Sequence, residues 1–135
     1  MKFEETLHIE SSAEKIFSLY KDVNNWSTWD PKTKECFIDG EFKVGTMGIL
    51  KPKNGPKGKF TITEVTENKS FTVKYKLPFC DLYFKNELTP QSPGTEVLHK
   101  IVFEGLLAPL WGRIIGNKLK KEQSQTMKAL KKVAE

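Results

Sequence analysis

Few side chains in this sequence are suited to acid–base, nucleophilic or metal chemistry. There are two histidines, His8 and His99, and two cysteines, Cys36 and Cys80. Two cysteines without clustered Cys/His spacing form neither a disulfide framework nor a zinc site, so both are interpreted as reduced thiols. The sequence contains no nucleophile motif, phosphate-binding loop or pair of metal ligands, so we expect no metal and no cofactor.

His99 is the one candidate for acid–base chemistry. It lies in a regularly alternating stretch whose inner face is predicted to hold Val97, His99, Ile101 and Phe103, whereas His8 alternates to the outer face of its strand. A buried imidazole could act as a general base, or polarise a carbonyl in an aldol cyclisation, if it had a polar partner. The candidate partners are Tyr75, Asn86 and Glu5. A core histidine that only orients a ligand is the alternative interpretation.

Strand-like alternation covers most of the chain. A first strand is predicted over 2–10, with Phe3, Leu7 and Ile9 on one face. From Lys32 to Phe103 the period of two continues, and turn residues recur at the spacing of antiparallel hairpins. Six further strands are predicted over residues 33–39, 44–51, 58–66, 70–77, 81–89 and 95–104.

Helical patterns occur in three places. Capping-box spacing at 11–14 predicts a short helix from Ser12 to Lys21, and Asn24–Asn25 can cap a second short helix around 26–29. The stretch from 107 to 134 predicts a helix about 40 Å long. Its apolar stripe comprises Leu107, Leu110, Trp111, Ile114, Ile115, Leu119, Met127, Leu130 and Val133. Gly112 and Gly116 on this helix permit either close packing on the sheet or a ligand contact.

One sheet and one amphipathic helix can hide their apolar faces only against each other, so the sheet must curl around the helix. This predicts an α+β helix-grip fold. A seven-stranded curved antiparallel sheet wraps around a long C-terminal helix, and two short helices follow the first strand.

Several short motifs carry a family resemblance. They are Ser-Ala-Glu-Lys-Ile-Phe at 12–17, Asp-Val-Asn-Asn-Trp-Ser-Thr-Trp-Asp-Pro at 22–31, Val-Gly-Thr at 44–46, Phe-Thr-Ile-Thr-Glu-Val at 60–65, Asn-Lys-Ser-Phe at 68–71 and Gly-Thr-Glu-Val at 94–97. Over its whole length the chain resembles the START-like or SRPBCC superfamily, in particular its polyketide cyclase/dehydrase-like and lipid-transport branch. The resemblance implies a single domain over 1–135 with an internal cavity. None of the motifs is catalytic, so it is specific for the fold and weak for the chemistry.

The lining of this cavity is predicted from strand alternation and from the apolar stripe of the long helix. Trp29 is expected at the entrance. On the third strand the inner face is assigned to Met47 and Ile49, while Val44, Thr46 and Leu50 are the alternative inner set. Ile114 and Leu119 are also expected to face the sheet. The predicted ligand-binding residues are Trp29, Met47, Ile49, Phe60, Ile62, Phe71, Tyr75, Phe84, His99, Ile101, Phe103, Trp111 and Ile115.

Three functions are compatible with these features. The first is a non-catalytic binder or carrier of a hydrophobic small molecule, such as a lipid or a polyketide-like or aromatic metabolite. The second is a polyketide cyclase/dehydratase-type enzyme that uses His99 as acid or base in the same cavity. The third is a protein-interaction module with a filled core, acting through the basic loop that contains Lys51, Lys53, Lys57 and Lys59.

The net charge of +5 comes almost entirely from lysine, with Arg113 as the one arginine. Because nucleic-acid surfaces favour arginine, we expect no nucleic-acid partner. Weak contact with an anionic membrane surface is the remaining interpretation of the lysines. The N-terminus lacks the apolar region of a secretory signal, so a cytoplasmic location is expected. The oligomeric state is left open.

Overall fold

Alternation of apolar and polar residues builds one antiparallel sheet. The computed structural model describes all residues from Met1 to Glu135. The strands follow the order β1-β7-β6-β5-β4-β3-β2, so hairpins join β2 through β7, and β1 lies beside β7. Their bounds are β1 Lys2–Ile9, β2 Thr33–Ile38, β3 Met47–Pro52, β4 Gly58–Thr66, β5 Ser70–Leu77, β6 Cys80–Pro90 and β7 Thr95–Glu104.

Two α-helices and one 3-10 helix complete the chain. Helix α1 spans Ala13–Lys21, and its N-cap Ser12 Oγ accepts a hydrogen bond from the Lys15 amide at 3.1 Å. The 3-10 helix spans Val23–Thr28, and α2 spans Ala108–Ala134 with a proline in its first turn. No helix has the length and apolar composition needed to cross a membrane. The predicted helix-grip fold is confirmed, with seven strands in a single sheet.

The buried apolar side chains form two groups between the sheet and the helices. The first group joins α1 and the C-terminal end of α2 to the middle of the sheet, through residues such as Phe17, Met127 and Phe71. The second group joins the start of α2 to one end of β6 and β7, and its buried members are Cys80, Leu82, Ile101, Phe103 and Ala108. The core therefore follows the concave side of the sheet along the whole length of α2.

Helix α2 packs closely on β1 because two of its residues lack side chains. A Cβ on Gly116 would lie 2.6 Å from the Phe3 ring, and one on Gly112 would overlap the Met1 side chain. Real Cβ atoms do not approach other atoms so closely. The two glycines therefore serve close packing, which was one of the two explanations predicted for them.

The predicted buried stripe of α2 is wrong at three positions. Leu110, Ile114 and Val133 are 50%, 60% and 40% exposed. The helix face that meets the sheet at its N-terminal end combines the small residues Ala108, Gly112 and Gly116 with the predicted Trp111, Ile115 and Leu119. Because the prediction counted every bulky apolar residue as inward, it included Leu110 and Ile114, which lie on the solvent side.

The predicted inner face of β3 is also wrong. Gly48 pairs with buried Phe60, whereas Ile49 pairs with exposed Lys59, so Met47 and Ile49 point to the outer face. Met47 is 52% exposed. The reason is steric, since the Phe60 ring fills the space that a Cβ on Gly48 would occupy. Thr46 and Leu50 of the alternative set do face inward, while Val44 is exposed.

Candidate ligand-binding site

A row of polar side chains crosses the otherwise apolar concave face. Strand pairing places His99 of β7 directly opposite Glu5 of β1 and Asn86 of β6, and directly paired residues share one face of a sheet. His99 and Asn86 are 4% and 5% exposed. Asn86 Nδ2 donates to the Phe71 carbonyl at 3.4 Å and forms no hydrogen bond with the imidazole.

The hydrogen-bond partner of His99 comes from helix α1. The Tyr20 hydroxyl and His99 Nε2 are 2.8 Å apart, and both side chains are buried. The Tyr20 ring also packs on the Phe71 ring, with centroids 4.8 Å apart. None of the three candidate partners predicted from the sequence forms this bond. A signal for Tyr20 was present, because it shares the buried face of α1 with Ile16 and a buried tyrosine hydroxyl usually finds a partner.

Burial keeps the Tyr20–His99 pair uncharged. Loss of hydration lowers the pKa of His99 from 6.5 to about 3, so the imidazole is neutral at neutral pH. The same effect raises the pKa of the Tyr20 hydroxyl, which stays protonated. One nitrogen of a neutral imidazole donates a hydrogen bond and the other accepts one. His99 therefore presents a donor on one ring nitrogen and an acceptor on the other.

The second ring nitrogen of His99 has no partner. Nδ1 is buried and makes no hydrogen bond. An unsatisfied buried polar group costs about 1–3 kcal/mol. A polar atom of a bound molecule, acting as donor or acceptor according to the tautomer of the ring, would remove that cost.

The apolar side chains on one side of this polar row are only partly covered. Tyr75 and Phe84 lie on the inner face of the sheet, and Trp111, Ile115 and Leu119 face them from α2 against the second core group, yet all five remain half-buried. On the other side of the row, Val97, Leu88 and Met127 are fully packed. The five partly exposed side chains near the start of α2 are called the half-open apolar region here, and the packed residues lie on the other side of the polar row.

Apart from Met47 and Ile49, the predicted cavity residues lie within or against the two core groups or in the polar row. Those that are fully buried are Phe60, Ile62, Phe71, His99, Ile101 and Phe103. Those that are half-buried are Trp29, Tyr75, Phe84, Trp111 and Ile115. Their contact with a ligand stays a prediction.

Asp30 links the segment after the 3-10 helix to α2. Its carboxylate accepts hydrogen bonds from the Lys32 amide at 2.9 Å, the Thr33 hydroxyl at 2.9 Å and the Thr126 hydroxyl of α2 at 3.0 Å. Its bond to Thr126 also ties the end of the 3-10 helix, where Trp29 lies, to the middle of α2.

The convex face of the sheet carries a separate polar groove of about 420 Å³. Glu64 accepts hydrogen bonds there from the hydroxyls of Ser70 and Thr72 at 2.6 and 3.1 Å, and Glu87 faces Lys100 at 3.1 Å. Seven of the eight residues that line this groove are polar or charged. The apolar surface available to a ligand is on the concave side.

The comparisons with known proteins agree with this geometry. Residues 1–135 match the family described as "Polyketide cyclase / dehydrase and lipid transport". The chain belongs to this family. Among curated protein sequences, none matches it significantly.

Solved structures of low sequence identity share the fold. The di-domain ARO/CYC StfQ from the steffimycin biosynthetic pathway has a TM-score of 0.81 at 10% identity; the match covers 98% of this chain and 50% of that one, so this chain spans half of the di-domain protein. Protein MLL2253 from Mesorhizobium loti has a TM-score of 0.77 at 18% identity, with 98% and 95% of the two chains covered. Truncated norcoclaurine synthase from Thalictrum flavum has a TM-score of 0.78 at 13% identity, with 98% and 92% covered.

Proposed function

We propose that this chain binds and carries a hydrophobic small molecule, a lipid or a polyketide-like or aromatic metabolite, between the start of α2 and strands β5 to β7. The observation that carries the proposal is the unpartnered, buried Nδ1 of His99, a residue that lies two positions along β7 from the strand partner of Phe84 in the half-open apolar region. A pocket with apolar walls and one or two polar groups is typical of small-molecule sites.

Affinity would come from the apolar walls. Tyr75, Phe84, Trp111 and Ile115 are half-buried, so a ligand could still remove apolar surface from water there. Burying a few hundred Å² at roughly 25 cal/mol per Å² gives several kcal/mol before the cost of ordering the ligand, which is enough for micromolar binding. The ligand's polar atom would then bond to His99 Nδ1, which fixes its orientation.

The state of His99 favours binding over acid–base catalysis. A general base or acid works best when its pKa lies near the working pH, whereas the pKa of His99 is about 3. Its one hydrogen-bond partner is the neutral Tyr20 hydroxyl, and no carboxylate bonds to the ring. We therefore assign His99 the role of orienting the ligand, with cyclisation chemistry as the alternative use of the same site.

The first experiment is native mass spectrometry of the purified protein, followed by denaturing extraction of any small molecule that it carries. We expect a stoichiometric hydrophobic adduct. The interior is then tested with Ile115→Trp, which adds bulk to the half-open region, and with Ile114→Trp as the matched control on the exposed side of the same helix. Ile115→Trp should displace the adduct and Ile114→Trp should retain it. A wild-type protein that carries no adduct and takes up no apolar dye would overturn the proposal.

A further inference from the structure

Four large apolar side chains are exposed together where α2 begins. Phe79, Leu106, Leu110 and Ile114 are 74%, 81%, 50% and 60% exposed, and together they are called the apolar end here. Leu110 and Ile114 lie one turn apart on the solvent side of α2, and Leu106 comes four residues before Leu110. Clustered exposed apolar residues usually mark an interaction site.

Two hydrogen bonds to backbone carbonyls fix the position of the apolar end. The Leu107 amide donates to the Phe79 carbonyl at 3.0 Å, and the Trp111 indole donates to the Pro78 carbonyl at 3.0 Å. The β5–β6 turn is therefore fixed against the start of α2. Phe79 is held at the surface, and its side chain remains exposed.

The first half of α2, next to the apolar end, carries only positive charges. From Gly105 to Lys121 the chain contains Arg113, Lys118, Lys120 and Lys121 and no acidic residue, and all four cations are exposed. Lys118 is paired with Glu122 at 3.9 Å, while the other three form no ion pair. Two acidic residues border the apolar end, since Glu104 lies two residues before Leu106 and its strand partner Asp81 lies two residues after Phe79.

This combination selects an anionic bilayer over a second copy of the chain. Exposed apolar residues on a helix flanked by cations are the pattern of a helix that lies in the interface of an anionic membrane. A two-fold contact between copies would instead bring the same unpaired cations, Arg113, Lys120 and Lys121, toward one another.

We propose that the apolar end docks on bilayers that contain anionic phospholipids and that the carried ligand is exchanged there. The exchange step rests on the proposed function. The same helical segment presents Leu110 and Ile114 to solvent and Trp111 and Ile115 to the interior. Docking through the first pair places the half-open apolar region beside the acyl chains from which a hydrophobic ligand would come.

The test is co-sedimentation with vesicles of phosphatidylcholine mixed with phosphatidylserine, and with vesicles of phosphatidylcholine alone. The apolar variant L106S/L110S/I114S is compared with the matched control F37S/V44S/M47S, which removes three apolar side chains that are 46%, 59% and 52% exposed on the β2–β3 side. The charge variant is R113E/K120E/K121E.

We expect the wild type to bind the phosphatidylserine vesicles more than about tenfold better than the neutral ones, and less well at high salt. The apolar variant and the charge variant should each bind those vesicles more than about tenfold more weakly, with the control unchanged. Absence of wild-type binding, or equal losses in the apolar variant and the control, overturns the proposal. So does a wild-type dimer that the apolar variant converts to monomer.

Uptake of an apolar dye without vesicles separates this proposal from the proposed function. The mutated side chains lie outside the interior, so the apolar variant should take up the dye as the wild type does, which also shows that it is folded. Vesicle binding without dye uptake by the wild type would leave docking supported and remove ligand carriage. Dye uptake without vesicle binding would do the reverse.

Discussion

At the scale of single residues, the buried Tyr20–His99 pair distinguishes this interior from a purely apolar core. Its hydrogen bond joins α1 to β7 across 2.8 Å, and both partners are neutral. Removing one partner of a buried hydrogen bond costs more than the bond itself is worth, since the other partner is left without water or protein contact. This asymmetry can be measured.

Replacing Tyr20 with Phe should lower the free energy of unfolding by about 1–3 kcal/mol, because His99 Nε2 would lose its partner inside the core. Urea unfolding measures the change. The control is Tyr83→Phe, which removes a hydroxyl from a half-buried tyrosine on the convex face and should change stability by less than about 0.5 kcal/mol. Equal effects of the two substitutions would contradict the role given to the pair.

Stability should depend on pH through His99. The pKa of its side chain is about 3 in the folded protein and 6.5 when unperturbed, so below pH 6.5 the unfolded chain binds a proton that the folded protein does not. The free energy of unfolding should therefore fall by roughly 1.4 kcal/mol per pH unit from pH 6.5 down toward pH 3, with no contribution from His99 above pH 6.5.

Urea midpoints measured across this pH range test that slope. His99→Gln should remove it, because glutamine does not titrate. His8→Gln is the matched control, since His8 is exposed and its Nδ1 bonds to Gln91 at 2.9 Å at the surface. A wild-type slope that persists in His99→Gln would show that His99 is not the titrating group.

The sequence predicted His99 as an inner-face residue because β7 alternates without interruption, so residue parity alone assigns the face. It did not predict Tyr20 as the partner, because that contact joins residues 79 positions apart, in elements whose relative placement no local pattern gives. Met47 was misplaced for a different reason. Hydrophobicity favoured it over Gly48, whereas the Phe60 ring needs the space above a glycine.

At the scale of elements, periodicity predicted which segments are helices and strands. Close packing decided which residues of α2 face the sheet. The predicted strand bounds lie close to those observed because turn residues punctuate each hairpin. For α2 the pattern gave the helix and placed Trp111, Ile115 and Leu119 against the sheet, but it missed the small residues on that side. Ala108, Gly112 and Gly116 contribute little hydrophobicity, yet they allow the closest approach to β1.

Gly116→Ala should therefore destabilise the protein, although alanine normally stabilises a helix interior by about 1 kcal/mol relative to glycine. The added Cβ would lie 2.6 Å from the Phe3 ring. Phe3→Leu in the same chain should recover part of the loss by making room. The neighbouring Asn117→Ala, at an exposed position of α2, should stabilise slightly. Urea unfolding of the variants decides, and a stabilised Gly116→Ala would show that α2 does not pack on β1 in this way.

At the scale of the whole molecule, α2 is held differently on its two sides. On the β1 side the Lys131 ammonium donates to the His8 carbonyl at 3.3 Å, the Glu10 amide donates to Glu135 at 2.8 Å, and the α2 glycines pack on the strand. On the opposite side, the Thr126 hydroxyl donates the one side-chain hydrogen bond that joins α2 to the segment after the 3-10 helix. We expect a second opening of the interior on this side, next to Trp29, in addition to the half-open apolar region at the start of α2.

Thr126→Val, which keeps the shape of the side chain and removes its hydroxyl, tests this opening. Loss of the bond to Asp30 should lower the free energy of unfolding by about 1 kcal/mol and raise the rates of ligand uptake and release together, so that affinity changes little. Stopped-flow fluorescence with an apolar dye measures both rates. The control is Thr28→Val, because that hydroxyl donates to the Asn25 carbonyl at 2.6 Å within the 3-10 helix and does not reach α2. If Thr126→Val changes the rates no more than Thr28→Val does, the ligand does not enter beside Trp29. The half-open apolar region at the start of α2 is then the entry route to test.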